Sequence, residues 1–317
     1  MMSVRKTPWH SLGNVLPEYP KSKQELLEAA GLDWSVGEFP VFVEAPDGTR
    51  IQAEDKKGIV RLTDNTLLSV MGGSYMPIQP STLVDFAYAL LEAEDGVGED
   101  GQPAVLMETA ISLAGGRVNT LLARIPEQVQ IGGKDAIDLY LSFVNSHDGS
   151  LRLGVHVTPI RVECMNLLNL SLRTAQQSWT CKHSASAMSR IEEARKTLGL
   201  TFKYMEAFQS QMDALLDAEY TKAEFEGLVR DLWPKPANEP APFSREQYAM
   251  IGLLESSPTI SDDIRGTKWA ALNAVTEHFD YGTRFNEGGA PVEEKRLQHV
   301  LFGKAKQQAD RTLSYLS

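Results

Sequence analysis

Cysteine is almost missing from this sequence. Cys164 and Cys181 are the only two, and their spacing fits neither a metal knuckle nor a disulfide framework, so buried thiols are expected and cysteine chemistry is not the theme. No apolar run approaches the ~20 residues that a bilayer requires, and the opening stretch MMSVRKTPWHSLGNVLPEYP lacks the apolar core of a signal peptide. A cytoplasmic protein with no membrane partner is the expectation. Neither Gly72-Gly73 nor Gly115-Gly116 is followed by the Lys-Ser or Lys-Thr of a phosphate loop, and no G-x-S-x-G elbow occurs. The histidines His10, His147, His156, His183, His278 and His299 never pair at metal-site spacing on a helix. No cofactor, no resident metal and no catalytic residue are therefore expected. Positive charge is scarce too: the net charge of -11 argues against coating nucleic acid with the whole surface, though not against a local groove.

What is present centres on residues 137–173. Two strand-like runs flank a tight Asp148-Gly149 turn, and the second run passes through Pro159 into an apolar, helix-patterned segment ending near Arg173. Leu151, Leu153, Val155 and Val157 alternate with Arg152, Gly154, His156 and Thr158, which predicts one buried face and one polar, partly basic face. Upstream, Ser22 and Glu25 have capping-box spacing for a short helix stopped by Gly31. A hairpin follows around Pro46-Asp47-Gly48, with strands over 59–62 and 67–71. Ser81 is positioned to cap a helix carrying Leu83, Val84, Phe86, Ala87, Leu90 and Leu91, which should lie across the sheet. Strands over 104–113, 117–125, 137–146 and 151–158 come next and should join those upstream.

From Ser184 the pattern is helical, with Met188, Ile191, Leu198, Phe202, Met205, Met212 and Leu215 as its apolar stripe. The prolines of 233–243 exclude continuous helix and mark a linker; three helices over 244–255, 268–278 and 292–316 follow. The expected fold class is α+β: a largely antiparallel, curved sheet with helices on one face, then a helical C-terminal region. The expected domains are 1–232, including the long helix after Ser184, and 244–317.

Two constellations could carry chemistry. Glu108, Asp138 and Asp148 would hold magnesium for a nuclease if they converged. His147-Asp148 resembles an acid–base pair, but the turn chemistry of Asp148-Gly149 favours a structural role. The other constellation is basic and aromatic. Between Ser150 and Met205 eight Lys and Arg stand against three acids. Arg117, Arg124, Arg152, Arg161, Arg173, Lys182 and Arg190 could neutralise phosphates, with Tyr75 or Trp179 stacking on bases, as a single-strand groove needs.

Several runs carry a resemblance as well: PWHSLG at Pro8, AAGLDW at Ala29, SHDGS at Ser146, TPIRVECMN at Thr158, residues 190–200, and GTKWAALNA at Gly266. In order and spacing they resemble the phage and plasmid protein family of unknown function DUF932. Membership implies a mobile-element origin and a phage-infected or plasmid-bearing bacterial cell. The strand, hairpin and helix order is further similar to phage single-strand annealing recombinases, which implies a non-catalytic, oligomeric protein that binds and anneals single-stranded DNA. The competing expectation is an interaction or host-takeover factor whose acidic C-terminal helices engage a phage or host protein.

Overall fold

The computed structural model describes residues 2–4, 14–91, 106–161, 178–184, 187–190, 193–194, 201–234, 242–286 and 291–317. The chain divides into two compact units. The first comprises Met1–Pro126, Tyr140–Val157 and Ser178–Gly199, and the second comprises Glu127–Leu139, Thr158–Gln177 and Leu200–Ser317. The class is α+β, with antiparallel sheets and C-terminal helices.

The larger sheet has seven strands: β1 (Met2–Val4), β2 (Asn14–Leu16), β6 (Leu106–Leu113), β7 (Val118–Ile131), β8 (Asp135–Ser146), β9 (Leu153–Arg161) and β10 (Ser178–Cys181). Their order is β10-β9-β8-β7-β6-β1-β2, with β1 and β2 parallel and β1–β6, β6–β7 and β9–β10 antiparallel. In the first unit Leu153, Val155, Trp179 and Cys181 share the buried face. Helix α1 (Lys23–Ala30) begins at Ser22, whose Oγ accepts from the Glu25 amide, and stops at Gly31 in the left-handed region with φ 65°. The expected reciprocal capping box takes a variant form, because the Glu25 carboxylate accepts from the Lys21 amide instead. Helix α2 (Pro80–Leu91) starts two residues earlier than the Ser81 cap implied, with proline where a first-turn amide is dispensable. It lies on the sheet as expected: Phe86 meets Phe143 of β8 edge-on at 5.9 Å and Trp179 of β10 at 5.7 Å.

One expectation is corrected. The upstream strands do not join the large sheet; β3 (Val36–Glu44), β4 (Arg50–Arg61) and β5 (Thr66–Gly72) form a separate three-stranded antiparallel sheet. Its edges explain the separation. On β3 the Gln79 side chain takes both the amide and the carbonyl of Val36, and Pro40 with an adjoining bulge interrupts the rest of the edge. On β5 the Leu68 carbonyl accepts from Arg117 Nε at 2.8 Å. One face of this sheet packs Val36, Ile59 and Leu68 against Trp34, Met71 and Tyr75.

The second unit is mainly helical: α3 (Thr201–Asp217), α4 (Lys222–Leu232), α5 (Arg245–Ser256), α6 (Lys268–Glu277), a π-helical turn (His278–Gly282), α7 (Val292–Phe302) and α8 (Lys304–Leu316). Within the helix expected to run on from Ser184, Met188–Arg190 form a 3-10 turn, residues 193–194 are helical, and the helix described from Thr201 ends at Asp217. There Tyr220 N donates to the Gly266 carbonyl, and Thr221 opens α4 with a full capping box to Glu224. Its buried stripe runs through Tyr204, Phe208, Met212, Leu215 and Leu216, so the expected Met212 and Leu215 are buried while Met205 is half-buried. Every residue from Trp269 to Thr276 on α6 is buried, and Trp269 Nε1 donates to Asp135 Oδ2 at 2.9 Å. Gly303 divides the last expected helix into α7 and α8. Most of the linker, 235–241, and the apolar segment 162–177 lie outside the described residues. Among the described residues no helix is long and apolar enough to cross a membrane.

Candidate nucleic-acid interface

The outer face of the β9–β10 ladder is built by two local devices. At one end the hairpin turn fixes Arg152. Ser146 Oγ accepts from the Leu151 amide at 3.0 Å and donates to the Leu151 carbonyl at 2.9 Å, closing the turn on itself. Asp148 Oδ1 accepts from the Ser150 amide and hydroxyl, and Gly149 supplies φ 73°. At the other end Lys182 stands between two buried neighbours, Cys181 and His183. His183 Nε2 meets Asn145 Oδ1 at 2.6 Å, its ring stacks on Tyr75 at 5.0 Å, and its carbonyl accepts from Met76 N.

Register pairs Ser178 with His156, Thr180 with Gly154 and Cys181 with Leu153, so one step further Lys182 stands opposite Arg152. Strand alternation therefore puts Arg152, His156, Ser178, Thr180 and Lys182 on the side away from Trp179 and Leu153. Arg152, Thr180 and Lys182 are exposed. Neither Arg152 nor Lys182 has an ion-pair partner among the described residues. Gly154 keeps the middle of the strip open: a Cβ there would stand 3.0 Å from the Trp179 carbonyl oxygen and 3.1 Å from His156 Nε2.

The other predicted residues fall elsewhere. Arg190 pairs with Glu193 at 2.5 Å and sits over the Trp179 ring. Arg117 is exposed, with its Nε committed to the Leu68 carbonyl, and Arg124 is half-buried in β7 opposite Leu106. Arg173 lies outside the described residues, as does the side chain of Arg161. Trp179 is buried against Phe86, and its Nε1 reaches Glu193 at 3.5 Å. Tyr75 is half-buried, donating to the Ser146 carbonyl at 2.7 Å while stacking on His183. Thr180 and Ser178 were not singled out from sequence, although their alternation with Trp179 and Cys181 was there to be read.

His147 acts as a hub beneath the turn. Its amide donates to the Arg117 carbonyl at 2.7 Å, its carbonyl accepts from Ser69 Oγ, and its ring lies 5.5 Å from Trp34 and 3.2 Å from Asn119 Nδ2. Burial holds it near pKa 4, with His183 adding to the effect and Asp148 opposing it; burial likewise holds His183 near 4. Burial also raises the Tyr75 hydroxyl. Both imidazoles are neutral at pH 7, so positive charge stays on the outer strip.

Glu108 is buried and accepts from Tyr140 Oη at 2.7 Å, Asp138 accepts from Gln128, and Asp148 is committed to its turn. Among the described residues no three His, Cys, Asp or Glu side chains gather into a group that could hold a metal ion.

The family model described as a domain of unknown function, DUF932, matches residues 67–312, most of the chain. The chain belongs to that family. The DUF932 match takes in the β9–β10 strip and the whole helical region while leaving β3 and β4 outside. No curated protein and no solved structure matches the chain.

Proposed function

We propose that this DUF932 protein binds single-stranded DNA without cleaving it, and promotes annealing as an oligomer in phage or plasmid recombination or replication. The observation that carries the reading is the pair Arg152 and Lys182, both exposed, one register step beyond the Cys181–Leu153 pairing and without an ion-pair partner among the described residues, at the end of a strip that also offers Thr180 and Ser178. Phosphate contacts are made by such cations together with hydroxyl donors, and they position a strand without reading its sequence. A negative protein keeps such a strip effective as long as the acids lie elsewhere, because exposed charges beyond ~10 Å are screened at 0.1 M salt. Tyr75 and Trp179 are engaged internally, so this reading rests on phosphate contacts more than on base stacking.

The test is fluorescence anisotropy of a labelled oligonucleotide titrated with the full chain. Binding that weakens steeply with salt is the expected result. No binding at low salt overturns the proposal. Incubating DNA with magnesium or manganese separates it from a nuclease, which would shorten the strand.

A further inference from the structure

We infer that the exposed ring of Tyr248, backed by Phe243 and Arg230 in the helical unit, is a stacking site for an unpaired base of single-stranded DNA. This site rests on the DNA reading above and supplies what that reading lacks, because Tyr75 and Trp179 are engaged internally and the β9–β10 strip meets phosphates.

The sequence FSREQY at Phe243 builds the site locally. Ser244 opens α5 with a full capping box: its Oγ accepts from the Gln247 amide at 3.2 Å, and its own amide donates to Gln247 Oε1 at 2.6 Å. The box puts Phe243 just before the cap and Tyr248 just after Gln247, the two places whose side chains meet in a hydrophobic staple. They meet edge to face, with ring centroids 5.4 Å apart and planes at 74°. Gln247 is buried, and its Nε2 donates to the Trp233 carbonyl at 3.0 Å, which ties the start of α5 to the end of α4. Arg230 of α4 stands over the Phe243 ring, 3.8 Å from its centroid.

Exposure separates the two rings. Phe243 is half-buried, whereas Tyr248 is 57% exposed, more than any other large hydrophobic side chain among the described residues. A staple explains why the rings touch, but it needs only an apolar contact and does not explain a tyrosine so open to solvent. A ring fixed on one side and open over more than half of its surface is preorganised for stacking, and a base is a flat partner that every nucleotide offers.

Charge selects the base over the phosphate. Arg230 is followed by Asp231 and Arg245 by Glu246, all four exposed, so the surroundings of the ring add no net charge. Arg230 is already stacked on Phe243, and Asp231 accepts from Tyr315 Oη at 2.7 Å. A phosphate or an acidic peptide finds no surplus cation here. Stacking needs none, and it releases no counterions, so its contribution to affinity does not depend on salt.

The test is fluorescence anisotropy of the full chain with two labelled single strands of equal length, one carrying bases and one abasic. The wild type should bind the base-bearing strand several-fold more tightly. Tyr248→Leu keeps an apolar side chain against Phe243, so folding, checked by a thermal melt, should hold. It should weaken binding of the base-bearing strand about fivefold or more, leave the abasic strand unchanged and keep the salt dependence of the wild type. Tyr248→Phe keeps the ring and should bind as the wild type does. A wild type that binds both strands alike, or a Tyr248→Leu chain that binds both as the wild type does, overturns this site and leaves the phosphate strip standing. A shallower salt dependence in Tyr248→Leu overturns it too, since that marks a phosphate contact. A wild type that binds neither strand overturns this site and the DNA reading together.

Discussion

Two exposed sheet faces in the first unit have the same geometry and opposite chemistry. On β9–β10 the covered side carries Leu153, Val155, Trp179 and Cys181, and the open side carries Arg152, Thr180 and Lys182. On β3–β5 the covered side carries Val36, Ile59 and Leu68, but the open side is again apolar, with Phe39, Leu67 and Val70 in the light of solvent. An antiparallel sheet that needs only one buried face normally makes the other polar, and β9–β10 obeys that rule. On β3–β5 the open side departs from that rule.

The comparison is sharpened by changing inner and outer residues of the same strands. The largest effect is expected inside β10: Trp179→Ala empties the site against Phe86 and should lower stability by about 3–5 kcal/mol in a denaturant titration. Next comes acid. His147 and His183 are held near 4 by burial, against about 6.5 in the unfolded chain. Between those values the unfolded chain takes up protons that the folded one refuses, so stability falls as pH falls from 6.5 to 4, by up to roughly 3 kcal/mol per histidine, and is flat with respect to both above 6.5. Thermal melts across that window check the sign. On the inner side of β3–β5, Tyr75→Phe strands the Ser146 carbonyl and should cost about 1–2 kcal/mol. The smallest effects belong to the open faces: Val70→Thr and Lys182→Ala should each stay within about 0.5 kcal/mol in the same titration. A large loss at either position would mean that its face is part of the fold after all.

Legibility in the sequence followed signal length. The Asp148-Gly149 turn and the alternation from Leu151 to Val157 are strong, local patterns, and the hairpin and its buried face stand where they point. The cap at Ser22 was readable for the same reason. Strand β10 was not found, since four residues, Ser178 to Cys181, are too few to outweigh their surroundings. The split into two sheets was hidden because edge blocking depends on Gln79 and Arg117, which are distant in sequence from the strands they cap. Tyr75 and Trp179 read as aromatic and near basic residues, but alternation puts Trp179 with Cys181 on the buried side. The Arg190–Glu193 pair needed only the three-residue spacing to be foreseen.

The most direct measurement is the slope of log affinity for single-stranded DNA against log salt, compared between the wild type and the Arg152→Ala/Lys182→Ala double variant. Each lost phosphate contact removes about 0.7 from the slope for single strands, so the double variant should bind more weakly with a slope shallower by about 1.4. An unchanged affinity and an unchanged slope would contradict the assignment of the β9–β10 outer face as the phosphate-binding strip.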